Sequence, residues 1–173
     1  MPNKDERTWV HNALELNPDT GEMRLFGIRT VLVDPLTCCQ RVDELLGSGG
    51  EIIIHFIWFE QGLQVFDKIA KDNPNRTRDE ILKKIVDTQP LSGLGITTLT
   101  ITHQNPLTAR IVVKNPPFKT VRGSAKRLIS SFWEGVLYGY SDQKVTSRNF
   151  RYDKERDEFR FTIITIPTAK LPY

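Results

Sequence analysis

The chain has 173 residues, 39% hydrophobic and 26% charged, with a formal net charge of +3. That length suits one domain with a substantial core, and so mild a charge does not single out nucleic acid as a partner. There is no run of about 18 apolar residues, so a transmembrane helix is not expected. The polar start, Met1 to Val10, lacks the apolar stretch of a secretory leader, so the expectation is a cytoplasmic protein.

Two cysteines, Cys38 and Cys39, are adjacent, and histidine occurs three times. Neighbouring cysteines rarely meet the geometry of a disulfide. With no C-x-x-C pair and no two histidines at helical i, i+4 spacing, no metal site is expected. One local bias stands out. Lys119, Arg122, Lys126 and Arg127 have no acid among them, which fits a solvated helix start or a phosphate-contacting patch.

In chain order, a strand-like stretch from Thr8 to Leu16 precedes the turn signal Asn17–Glu22. Met23 to Val33 then alternates, with Phe26, Ile28, Thr30 and Leu32 on one side, as a half-buried strand does. Asp34-Pro35 opens a helix, Asp as N-cap and Pro at the first position. Leu36, Cys39, Val42 and Leu46 line one face, and the glycines from Gly47 to Gly50 stop it. Glu51 to Lys71 is the most apolar segment. Ile52, Phe56, Phe59, Leu63, Phe66 and Ala70 recur at helical spacing, and Ile53, Ile57 and Trp58 add a second apolar face, so a helix buried on two sides is expected. Thr77-Arg78-Asp79-Glu80 reads as a capping box for a helix reaching about Thr88.

Two alternating stretches, Ile96–Gln104 and Leu107–Asn115, flank Asn105-Pro106 and make a hairpin. A helix from about Ser124 to Tyr140 follows. A second hairpin pairs Lys144–Tyr152 with Glu158–Ile166. Strands, helices, strands, helix, strands is the order of an α+β fold: a mainly antiparallel sheet with helices packed on one face, in a single domain.

Several residues in this frame carry chemistry. Glu60 lies among Phe56, Phe59 and Leu63, and a buried carboxylate must pair, protonate or reach water. It reads either as a pocket acid orienting a polar ligand end or as an exposed helix-edge group. Arg29 interrupts a hydrophobic strand; it is a candidate partner for Glu60, an anchor for an anionic ligand, or an exposed group. His55 reads as a core or edge histidine. The aromatic side chains Phe56, Phe59, Phe132 and Trp133 are core by default, or the lining of an apolar pocket. Gly62, Gly135 and Gly139 cost about 1 kcal/mol each in a helix, which points to close approach of a neighbouring helix or a ligand. No nucleophile–base pattern and no phosphate loop is visible, so an enzyme is not the favoured expectation.

Three stretches together resemble the 4-vinyl-reductase (hydrocarbon-binding) domain family. They are GEMRLFGIRTVLVDPLTCCQRVDELLG, WFEQGLQVFDKI, and the run from VVKNPPF through SSFWEGVLYGY to FRFTI. Gly135 and Gly139 stand at the glycines of the family's C-x-x-x-x-G-x-x-x-G helix, and Phe161 stands at its last aromatic position. The match spans about Gly21 to Ile166. It implies the fold shared by TRAPP-type trafficking subunits, with an apolar pocket for a small hydrophobic molecule and a tendency to dimerise. Many members hold zinc through cysteines, and here the matching positions are Ser130, Arg151 and Phe159, so the resemblance implies a scaffold without its metal. The expectation is a homodimeric sensor or regulatory module for a hydrophobic or aromatic ligand, without cofactor and without a DNA-binding part. Phe56, Phe59, Glu60, Phe132, Trp133 and Arg29 are its candidate ligand contacts. The alternative is an assembly subunit of a TRAPP-like complex, or an accessory to an enzyme acting on a tetrapyrrole or lipid.

Overall fold

A computed structural model describes residues 14–20, 22–25, 28–30, 34–120 and 122–166. Three short strands come first: β1 (Leu14–Asn17), β2 (Glu22–Leu25) and β3 (Ile28–Thr30), antiparallel in that order. The stretch expected to be one strand is therefore two. Leu25 pairs with Ile28, so the chain reverses direction between these two strands; Phe26, Gly27, most of Thr8–Leu16 and residues 31–33 lie outside the described residues.

Helix α1 (Pro35–Leu46) begins as its sequence predicts: the Asp34 carboxylate accepts the Leu36 N–H at 3.1 Å. It ends at Gly47, whose φ of 55° is a region glycine enters freely. Only Ser48 separates this residue from α2 (Gly49–Asp72). Helix α3 (Arg78–Thr88) carries the full capping box. The Thr77 hydroxyl accepts the Glu80 N–H at 3.2 Å and the Glu80 carboxylate accepts the Thr77 N–H at 2.8 Å. A single 3-10 turn (Gln89–Ser92) leads to the sheet.

The main sheet is antiparallel, ordered β4-β5-β7-β6, from β4 (Ile96–Gln104), β5 (Leu107–Lys114), β6 (Val145–Asp153) and β7 (Glu158–Thr165). Helix α4 (Ala125–Ser141) crosses over between β5 and β6. The alternation of β5 shows how the core is made. Leu107, Ala109, Ile111 and Val113 are buried, while Thr108, Arg110, Val112 and Lys114 turn to the other face. Phe159, Phe161 and Ile163 of β7 continue the inner face. An extra residue in β6, where Asn149 has a φ of 59°, shifts the register between Arg148 and Arg151. Phe150 consequently stacks on Phe159 and Phe161 at ring separations of 6.0 and 5.9 Å.

The centre of the molecule is the crossing of α2 over α4. At Gly62 an added Cβ would overlap the Phe132 carbonyl, and at Gly135 it would overlap the Phe59 carbonyl. Two glycines facing each other's backbone let the helices touch main chain to main chain, so the close approach expected of them is that of helix on helix. The expected two-sided burial of α2 is not observed. Ile54, Gly62, Val65, Phe66 and Ile69 are buried, while Ile52, Ile53, Phe56 and Ile57 are 43–62% exposed. One face meets α4, and among the described residues nothing covers the other.

Candidate functional site

Helix α4 is the element on which the polar and aromatic chemistry converges. From Leu128 to Leu137 every residue is buried, and this stretch includes Ser130, Ser131, Trp133 and Glu134. Glu134 is the only charged residue between Arg127 and Asp142, and it is 2% exposed. Leaving such a carboxylate without partners would cost several kcal/mol. It is instead well supplied. The Ser147 backbone N–H donates to Oε1 at 2.9 Å and the Ser147 hydroxyl donates to the same oxygen. Arg127 Nη1 lies at 3.8 Å, and His55 Nδ1 lies 3.6 Å from Oε2.

His55 Nδ1 also lies 2.9 Å from the Ser131 hydroxyl. Serine, histidine and glutamate are thus neighbours, but serine and carboxylate share one ring nitrogen. A nucleophile relay needs them on opposite nitrogens, so that histidine can take the hydroxyl proton on one side while the acid holds the other. The cluster joins α2, α4 and β6. At its rim Lys126 and Arg127 meet Glu51 at 2.8 and 3.6 Å. Lys119 bonds Asp157 at 2.5 Å. Three of the four basic residues expected to form a solvated start or a phosphate patch are therefore paired with acids, and Arg122 is exposed.

The same helix holds an opposite case. Ser130 Oγ and Trp133 Nε1 are fully buried and have no hydrogen-bond partner among the described residues. They stand three residues apart on α4, one turn from each other. A buried unsatisfied donor is costly, about 1–3 kcal/mol, and few are tolerated in a native structure. Trp133 packs edge-on against Phe132, with centroids 5.6 Å apart. Phe59 lies between His55 and Tyr138, with centroid distances of 5.8 Å to each.

Placed in this frame, the expected ligand contacts separate. Phe132 and Trp133 are in the core, and Phe59 is half-buried at the α2–α4 seam. Phe56 is 62% exposed. Glu60 is exposed as well, because its helical position falls on the stripe opposite Ile54 and Val65; its helix-edge reading is the one observed, and the buried acid is Glu134. Arg29 pairs with Arg24 in the β2–β3 ladder, and its side chain lies outside the described residues. Sequence reasoning missed Glu134, Ser131 and Ser147. The signal available was a lone acid in a fourteen-residue stretch with no other charge.

Of the positions matching the zinc cysteines of the resembled family, Ser130 is buried in α4, Phe159 faces inward from β7 and Arg151 is exposed on β6. None offers a thiolate, and these residues do not fit zinc. Burial pushes the Cys39 thiol up to about 12, while Cys38 is exposed. An open cleft of about 270 Å³ lies elsewhere, beside the start of α3. Its polar groups are already engaged: the Tyr140 hydroxyl donates to Asp79 at 2.7 Å and Arg78 donates to the Tyr140 carbonyl at 2.7 Å.

No family model and no curated protein matches the chain. Solved structures do. The phenol-responsive sensory domain of the transcription activator PoxR, with phenol, has a TM-score of 0.73 at 11% identity, covering 95% of this chain and 92% of that one. A trafficking protein particle complex subunit 3 from Naegleria fowleri, covalently bound to palmitic acid, has a TM-score of 0.51 at 10% identity, over 77% and 90%. Identities this low show the fold alone. The fold is α+β, of the kind shared by this sensory domain and the trafficking subunit.

Proposed function

We propose that this domain binds a small hydrophobic or aromatic molecule carrying one polar group, and that occupancy is signalled to another protein. One observation carries the reading: Trp133 Nε1 and Ser130 Oγ, three residues apart on α4, are both buried without a hydrogen-bond partner among the described residues. A ligand hydroxyl or carbonyl seated there would satisfy what the protein leaves open, and Phe132 beside them offers an aromatic wall. Apolar surroundings with one or two oriented polar groups are the usual form of such a site. The fold similarity to a phenol-responsive sensory domain supports the same direction.

Phenol is the first probe. In isothermal titration the wild-type chain is expected to bind it. Trp133→Phe, which removes the indole donor, is expected to bind about 2- to 12-fold more weakly, the worth of one hydrogen bond. Equal affinity in the two proteins would refute the role given to Trp133.

The second reading is a structural subunit of a larger assembly. The uncovered apolar face of α2 is the observation that favours it.

A further inference from the structure

The main sheet has an outer face, turned away from its buried side, and cross-strand register defines its rows. Arg110 and Arg148 each pair with Thr162, one from either side, and Thr100 extends the row beyond Arg110. In the adjacent row Val112 and Arg151 flank Arg160. Arg110, Arg148 and Arg151 are exposed.

Arg151 reaches this face through the extra residue in β6. Residues three apart on a regular strand point to opposite faces. The register shift between Arg148 and Arg151, with Asn149 at a φ of 59°, sets both on the outer one, and bulges commonly re-aim side chains in this way. Within the chain the outcome is unfavourable, because Arg151 stands directly opposite Arg160 and like charges so placed repel.

The sheet holds no acid to spare for them. Its four strands contain two acids, Asp153 and Glu158, which pair with each other in register at one end. Arg160 Nη2 meets both, at 3.6 and 2.5 Å, and Lys114 lies 3.9 Å from Glu158. Arg110, Arg148 and Arg151 make no ion pair or hydrogen bond among the described residues.

Three such guanidiniums on one flat face suit an anionic partner, since the planar fork matches carboxylate and phosphate. Spacing and surroundings narrow the choice. Arg110 and Arg148 stand two strand widths apart, ~10 Å, while the two rows are two residues apart, ~7 Å. The shorter distance is the repeat of same-side side chains along an extended chain. Nucleobases would find no stacking platform here. Phe150, Phe159 and Phe161 stack on one another at the inner face, and Tyr152, opposite Phe159, donates its hydroxyl to Asp157. For insertion into lipid the outer face offers one large exposed apolar side chain, Ile96, at the corner of the sheet.

We propose that the outer face of the main sheet docks an extended acidic segment of another protein, which runs along the strands with carboxylates on alternate residues and is held by Arg110, Arg148 and Arg151. The proposal stands on the charge of the sheet and does not depend on the ligand reading.

The probe is a ten-residue peptide alternating Glu and Ser. Isothermal titration of the full chain at low ionic strength, where exposed charges are least screened, is expected to show binding. The double variant Arg110→Glu, Arg148→Glu is expected to bind about tenfold more weakly, and Arg151→Glu alone about threefold. Both are expected to keep the wild-type circular dichroism melt, because these side chains are exposed. Arg122→Glu, an exposed arginine before α4 and outside the sheet, controls for net charge and is expected to bind as wild type does. No binding of the peptide, equal weakening by Arg122→Glu, or tighter binding of oligo-dT or of phosphatidylserine vesicles through the same arginines would each overturn the proposal.

Discussion

Two glutamates illustrate how far single residues can be read. Glu60 drew notice because it interrupts an aromatic helix, yet it is exposed. Glu134, in an equally apolar helix, is 2% exposed and bonded to Ser147, with His55 and Arg127 close by. Sequence spacing places both on helices, but which stripe faces the core depends on the partner helix, and that information is not local. Because Glu134 accepts from both the N–H and the hydroxyl of Ser147, Glu134→Ala leaves two buried donors without their acceptor. The expected loss is about 1–3 kcal/mol in urea denaturation, and a change below about 0.5 kcal/mol would mean that the cluster contributes little. Tyr140 gives a pH-dependent expectation. Burial, then its bond to Asp79, pushes the hydroxyl up to about 12, against an ordinary value of about 10. A group raised in the folded state favours folding below the unfolded value and loses that contribution as pH climbs from about 10 through about 12. Absorbance titration of the phenolates is expected to show a late component near 12, to which Tyr152 also contributes. Tyr140→Phe should remove part of it.

Among the elements, those defined by local chemistry were legible. The Asp34-Pro35 start, the Thr77–Glu80 capping box and the turn at Asn105-Pro106 each have a mechanism within four residues of chain, and each is observed. The split of this stretch into two antiparallel strands was not legible, because alternation runs through it unbroken and only cross-strand pairing reveals it. The glycines of α2 and α4 are an intermediate case: their cost announced a close approach, and the structure supplies the partner. Gly135→Ala would drive a methyl into the Phe59 carbonyl. Neither backbone can yield without parting the helices, so the loss should reach the upper end of the about 1–3 kcal/mol usual for overpacking. A melt that is unchanged would show that the helices cross less tightly than described.

For the whole molecule, the α+β class and the helices on one sheet face followed from element order, since an apolar sheet face needs a cover. The likeness to a sensory domain and to a trafficking subunit is one of fold. Function rests on the site. Inside α4 Glu134 and Ser131 have their partners, while Ser130 and Trp133 on the same helix have none among the described residues. A domain this careful with one set of groups and not with the other is more readily understood if a ligand completes the second. Sequence alone could not show this, because orphaned atoms are defined only by the full set of neighbours.

The most direct measurement is the indole N–H region of a ¹H–¹⁵N spectrum, where the three tryptophans give three signals and Trp133→Phe assigns one. On addition of phenol the Trp133 signal is predicted to move furthest and to saturate with the binding curve. A Trp133 signal unmoved at saturating phenol, while binding heat is observed, would place the ligand elsewhere and contradict the site. No binding by phenol, indole or naphthol would contradict the receptor reading itself.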